Sequence, residues 1–157
     1  MLYFLTFAAI LAIDIASKIW ATEWLKPIFS VPLWKNVFHL TYVENRGAAF
    51  GIFQGGTVFF IVFTVVILAL IAYTIKKYAN ESKLLSLSLV FIAGGAVGNL
   101  IDRVLRGFVV DFFDFCLINF PVFNVADIFV CVGAALLIIF VIFFDGKEKK
   151  DCGNDEN

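Results

Sequence analysis

The stretch VVDFFDFCLINFPVFNVADIFV, residues 109–130, is apolar enough to belong in a bilayer, yet it carries Asp111, Asp114, Asn124 and Asp127. A carboxylate near hydrocarbon costs roughly 2.5–3.5 kcal/mol on insertion scales, so such residues point to a use. Two carboxylates brought together in a poorly solvated site cannot both ionise easily and tend to hold one proton between them. One partner is then a base that can draw a proton from water, and the other an acid that can polarise a carbonyl. Asp111 and Asp127 are the candidate catalytic pair. The plainer alternatives are that Asp127 caps its helix from the first turn and that Asp111 is a solvated loop residue. Asp114, between Phe113 and Phe115, competes with Asp111 for the role.

Three further polar groupings accompany the carboxylates. Asp14 and Lys18 are four residues apart and so share a helix face, where they can pair or meet the same cluster. In GGAVGNLIDR (94–103) the glycines permit close helix approach, while Asn99 and Arg103 fall on one face and Asp102 adjoins Arg103. In ENRGAAFG (44–51) Asn45 and Gly47 indicate a tight turn.

The elements that must position these groups follow from composition. Of 157 residues, 62% are hydrophobic, and mean hydropathy is +0.96. Soluble domains average ~45–50% apolar, so the chain reads as an integral membrane protein. Net charge is −1, from 12 basic and 13 acidic residues, and the basic ones form no patch that could follow a phosphate backbone. Nucleic acid is therefore not an expected partner. Cys116, Cys131 and Cys152 form no CxxC or Cys/His spacing, so neither a disulfide framework nor a zinc site is expected. His39, the single histidine, reads as structural, and an aspartate pair without a nearby histidine is a poor zinc set. No metal and no cofactor are expected.

A bilayer core needs about 20 mostly apolar helical residues, and four stretches qualify, at roughly 2–22, 57–75, 84–104 and 125–144. One membrane-embedded domain spanning 1–157 is expected, ending in a charged, disordered cytoplasmic tail at 145–157. Between the first two spans, VFHLTYV is rich in β-branched and aromatic residues and predicts a strand in a small extracytoplasmic sheet. The fold class is thus all-α integral membrane, with four transmembrane helices and a small β-sheet between helices 1 and 2. Lys76, Lys77 and Lys83 join spans two and three, and Lys147, Lys149 and Lys150 follow span four, so the positive-inside rule places both termini in the cytoplasm. Alternation of the spans then brings ENRGAAFG, the end of GGAVGNLIDR, Asp111 and Asp127 to the extracytoplasmic leaflet.

With these motifs laid out, the chain resembles the lipoprotein signal peptidases, or signal peptidase II, of bacterial cytoplasmic membranes. The resemblance rests on DIASK (14–18), NRGAAFG (45–51), GGAVGNLIDR (94–103), and VVDFFDF with FNVAD (109–115 and 123–127), in that order. It covers residues 10 to 145 with no motif position out of pattern. It implies an aspartyl endopeptidase that cuts diacylglyceryl-modified prolipoproteins before the lipidated cysteine, with Asp111 and Asp127 catalytic. Asn99 and Arg103 are implied to line the site and hold substrate or peptide antibiotics such as globomycin. Asn45, Gly47, Asn124, Asp14 and Lys18 are implied in supporting positions, and membrane lipid is an implied partner. A small extracytoplasmic β cradle is implied as well.

A rival from another class is a small ion-coupled transporter, since intramembrane Asp, Asn, Arg and Lys also mark ion pathways. A pathway should place polar residues through the full membrane depth, whereas spans two and four are nearly pure hydrocarbon below their outer ends.

Overall fold

The computed structural model describes residues 1–47, 55–78 and 82–143. The expected disordered tail and residues 48–51 of NRGAAFG lie outside the described residues. Helix α1 (Leu2–Trp20) runs on through a wider π-helical turn, Ala21–Leu25. Strands β1 (Ser30–Trp34) and β2 (Phe38–Asn45) follow, then helices α2 (Thr57–Tyr78) and α3 (Lys83–Arg106). Strand β3 (Val109–Asp114), a single 3-10 turn at Cys116–Ile118 and helix α4 (Val125–Phe143) complete the described chain.

All four helices are long and apolar enough to cross a membrane, with mean hydropathies from 1.8 to 2.9. Their outward faces carry Phe4, Val58, Phe63, Leu70, Ile142 and other large apolar side chains exposed by more than half. A surface of that kind belongs in hydrocarbon. Helix α3 is the hub and packs against the other three. Its glycines make this possible. A Cβ at Gly95 would collide with the Ala126 carbonyl of α4, and one at Gly98 with the Asp14 carboxylate of α1. Small residues at these crossings let backbones approach closely, which supplies the packing energy that apolar burial cannot supply within lipid. At the far end of the bundle, Ile71, Leu85, Leu89 and Phe140 close a buried cluster between α2, α3 and α4. Ser82 starts α3 by accepting from Leu85 N–H, and Gly107 ends it at φ +77°, a left-handed conformation that suits glycine.

The sheet is antiparallel in the order β1-β2-β3. Pro32 sits in β1, an edge strand, where a missing N–H is tolerated. The third strand is contributed by the connection between α3 and α4, beyond the small sheet that the first connection alone predicts. Asp111 is therefore a strand residue facing Val43, and only 2% exposed, which corrects its reading as a solvated loop residue. Ala21, Leu25, Tyr42, Val110 and Phe112 form a second buried cluster that fastens the sheet to the end of α1.

Candidate active site

Asp111 projects from β3 into a cavity of about 540 Å³ that Asn45, Gly47, Asn99, Arg103 and Asp127 also line. Residues from four separate parts of the chain thus reach one space, as the sequence reading expects. The remaining wall, Phe120 to Phe123 with Ile128, Cys131 and Val132, is mostly apolar. Nothing in the sequence pattern distinguishes the residues of that wall, Phe120 and Phe123 among them, from lipid-facing surface.

Each carboxylate is held by amide donors. The Asn124 side chain donates to Asp111 Oδ1 at 2.6 Å, and Asn45 donates to Oδ2 at 2.9 Å. Asn45 lies opposite Val109, two positions along the ladder from the residue facing Asp111, so the pairing register sets that bond. Its own Oδ1 accepts Gly47 N–H at 3.0 Å, closing the expected tight turn and fixing which way the amide points. Asp127 Oδ1 accepts from Asn99 Nδ2 at 2.8 Å. Its other oxygen accepts Asn124 N–H at 3.1 Å, while Asp127 N–H donates back to Asn124 Oδ1 at 3.1 Å. This reciprocal pair is a capping box at the start of α4, with Asn124 as the cap and Asp127 three residues on. Asp127 therefore serves as helix-cap partner with one oxygen and faces Asn99 with the other.

Behind the cavity, Lys18 dictates these orientations. Its ammonium donates to Asp14 Oδ2 and to Asn99 Oδ1, both at 2.8 Å, and lies 3.5 Å from Asp102. With its oxygen committed to Lys18 and to Asn124 Nδ2 at 3.1 Å, Asn99 can only turn its NH₂ toward Asp127. Asp14 reaches across to α4 and accepts Ala126 N–H at 3.0 Å, one of the orphan donors of that helix's first turn. Lys18, Asp14 and Asn124 are each at most 2% exposed, a fully connected buried network of the kind that specifies one arrangement.

Asp102 is a member that sequence reasoning undervalued. It binds Arg106 at 3.2 Å and Val110 N–H at 3.1 Å, tying the end of α3 to the start of β3. The i, i+4 spacing to Arg106 was the available signal. Arg103 instead stands over the Phe60 ring, 5.2 Å from its centroid, and reaches Gly47 carbonyl at 3.5 Å. Asp114 does not line the cavity. It accepts from Thr41 at 2.8 Å and sits with His39 and Cys116, away from the Asp111 and Asp127 pair.

Electrostatically, burial pushes the Asp111 carboxyl up, and the neighbouring Asp127 charge adds to it, raising it from 3.8 to about 7. An acid that retains its proton near neutrality, beside a second carboxylate at a helix N-terminus, can support paired acid and base chemistry.

Comparison with known proteins identifies the family. The family model described as signal peptidase (SPase) II matches residues 6–143. A lipoprotein signal peptidase of Clostridioides difficile is 46% identical over 153 residues, covering 95% of this chain and all of the relative. That of Caldanaerobacter subterraneus is 51% identical, covering 88% of this chain and 94% of the relative. Among solved structures, a bacterial membrane enzyme determined in meso at 2.3 Å matches with a TM-score of 0.83, 31% identity, and coverage of 99% of this chain and 92% of its own. A second, at 1.9 Å, matches with a TM-score of 0.80 and 32% identity. These matches set aside the ion-pathway reading. With four spans, a sheet at one end and a family match across nearly all of them, the chain belongs to the signal peptidase II family of bacterial membrane proteases.

Proposed function

We propose that this protein is an aspartyl endopeptidase that removes signal peptides from diacylglyceryl-modified prolipoproteins, cutting before the lipidated cysteine. The observation that carries the reading is the single cavity lined by both Asp111 and Asp127, each carboxylate oriented by buried asparagines. The family match supports the substrate class.

In this reading both termini are cytoplasmic, and the cavity opens toward the extracytoplasmic leaflet, as the lysine distribution indicates. The substrate's signal helix approaches from the lipid side with its acyl chains still in the bilayer, so membrane lipid helps to position the scissile bond along the apolar wall near Val132. Asp111 holds the shared proton and donates it toward the scissile carbonyl oxygen, while Asp127 draws a proton from the attacking water. When the tetrahedral intermediate collapses, that proton passes to the leaving amine and Asp111 recovers its own. Water is the nucleophile throughout, so no acyl-enzyme forms. Holding bond, acid and base in register lowers the barrier by several kcal/mol at order-of-magnitude level. Asn99 and Arg103 contact substrate, Asn45, Gly47, Asn124, Asp14 and Lys18 support the pair, and peptide antibiotics such as globomycin occupy the same cavity.

The test is cleavage of a diacylglyceryl-modified prolipoprotein in liposomes by folded Asp127→Asn and Asp114→Asn proteins. Turnover is lost in the first and retained in the second. An active Asp127→Asn removes that residue from the mechanism, and trapping of an acyl-enzyme replaces the scheme with a nucleophilic one.

A further inference from the structure

We propose that His39, Asp114 and Cys116 form a binding site for a zinc-class divalent cation on the sheet, apart from the carboxylate pair. Strand pairing sets His39 directly opposite Asp114, and Cys116 follows two residues later at the start of the 3-10 turn. One ligand atom from each residue lies within 4.8 Å of the others. In a tetrahedral zinc site, bonds of ~2.0–2.3 Å to imidazole, carboxylate and thiolate put the ligand atoms roughly 3.4–3.6 Å apart. Side-chain rotations that draw the atoms together by about an ångström reach that geometry, leaving a fourth position for water.

Two observations beyond proximity point to a cation. His39 Nε2 is buried and has no hydrogen-bond partner among the described residues. A buried nitrogen in that state is costly, and a metal bond removes the cost. Asp114 is also already oriented: Thr41 donates to its Oδ2 at 2.8 Å, and Ser30 of β1 contacts that hydroxyl at 2.9 Å. Such outer contacts are what hold metal-ligating carboxylates in place. The mixed nitrogen, sulfur and oxygen set favours zinc over magnesium or calcium, which prefer all-oxygen ligation.

The cation would tie β2 to β3 three residues from Asp111 on the same strand. None of His39, Asp114 and Cys116 lines the cavity that holds Asp111 and Asp127, so the cation lies outside it. Its role is to stiffen the sheet that carries Asp111.

The experiment uses the full-length protein in detergent, stripped with chelator and kept reduced. Zinc alone is titrated calorimetrically, and cobalt alone is followed by absorption. The expected result is one zinc per chain and a cobalt spectrum with tetrahedral d–d bands and a thiolate charge-transfer band. That band disappears in Cys116→Ser and persists in Cys131→Ser and Cys152→Ser. His39→Ala weakens zinc binding tenfold or more, and zinc raises the Tm of the wild type but not of His39→Ala. Absence of stoichiometric zinc binding, or a charge-transfer band that survives Cys116→Ser, overturns the proposal. If His39→Ala does not fold, Cys116→Ser carries the decision alone.

Discussion

Asp111→Asn separates the chemistry of that carboxyl from its effect on stability, because the two are expected to move in opposite directions. The carboxyl rises from 3.8 to about 7 on folding. A proton is thus held more tightly in the folded state than in the unfolded one. Stability is undiminished below pH 3.8, falls as pH rises toward 7, and stays reduced by ~4 kcal/mol above that, at 1.36 kcal/mol per pH unit. Asparagine cannot ionise and escapes this loss. It also presents an NH₂ where the carboxylate accepted from both Asn45 and Asn124, so one donor goes unmet at a cost of ~1.5–3 kcal/mol. Asn45 cannot turn round to help, since its oxygen is committed to Gly47 N–H. The variant should therefore melt below wild type near pH 4 and above it at pH 8, with Tm differences of several degrees at ~2–4 °C per kcal/mol. Over the same range its cleavage of lipid-modified substrate should fall by ~10²–10⁴-fold. Thermal melts in detergent at both pH values, alongside a cleavage assay, read the two effects. A Tm difference that does not change with pH would refute the argument from burial and the Asp127 charge, and retained turnover would remove Asp111 from catalysis.

Other outcomes follow from the same geometry. Cleavage by the wild type should decline as pH rises through about 7, approaching tenfold per unit, because the acid then loses its proton; activity undiminished to pH 9 contradicts Asp111 as donor. Lys18→Met leaves Asp14 charged and buried without its counterion and frees Asn99 to rotate. It should cost ~3–5 kcal/mol by thermal melting and reduce kcat more than KM, whereas an unchanged Tm sinks the account of the network. Gly98→Ala drives a methyl group into the Asp14 carboxylate and should cost ~1–3 kcal/mol, measured by melting; a Tm equal to wild type would show that α3 can shift away from α1.

Much of this architecture is legible in the sequence, for identifiable reasons. Hydrocarbon thickness demands long apolar runs, so helices beginning at Leu2, Thr57, Lys83 and Val125 stand out by length alone. VFHLTYV announces β2 because its residues favour a pleated surface. β3 is hidden for the opposite reason: VVDFFD is apolar on both faces and lies among membrane spans, and its partner strand is some 66 residues away, as the Asn45 to Asp111 bond measures. The capping box is half legible, since N-x-x-D at a helix start is a known signal, yet only coordinates reveal which oxygen of Asp127 it occupies. Pairing of Lys18 with Asp14 follows from spacing, but its bond to Asn99 spans 81 residues, and no local rule reaches that far. The neighbourhood of His39, Asp114 and Cys116 depends on strand register and is invisible for the same reason.

The buried pair on α1 also bears on how the chain is made. Asp14 and Lys18 leave the ribosome long before their distant partners: Asn99 follows Lys18 by 81 residues, and Ala126 follows Asp14 by 112. At synthesis rates of about 5–20 residues per second, α1 waits roughly 5–20 s in the membrane with neither partner present. Opposite charges one turn apart let it wait as a neutral segment, each ion already serving the other. Because Asp127 and the donors that orient it arrive only with α3 and α4, the cavity of the nascent protein is not assembled until α4 docks. Under the proposed mechanism, cleavage must therefore wait until α4 has been inserted.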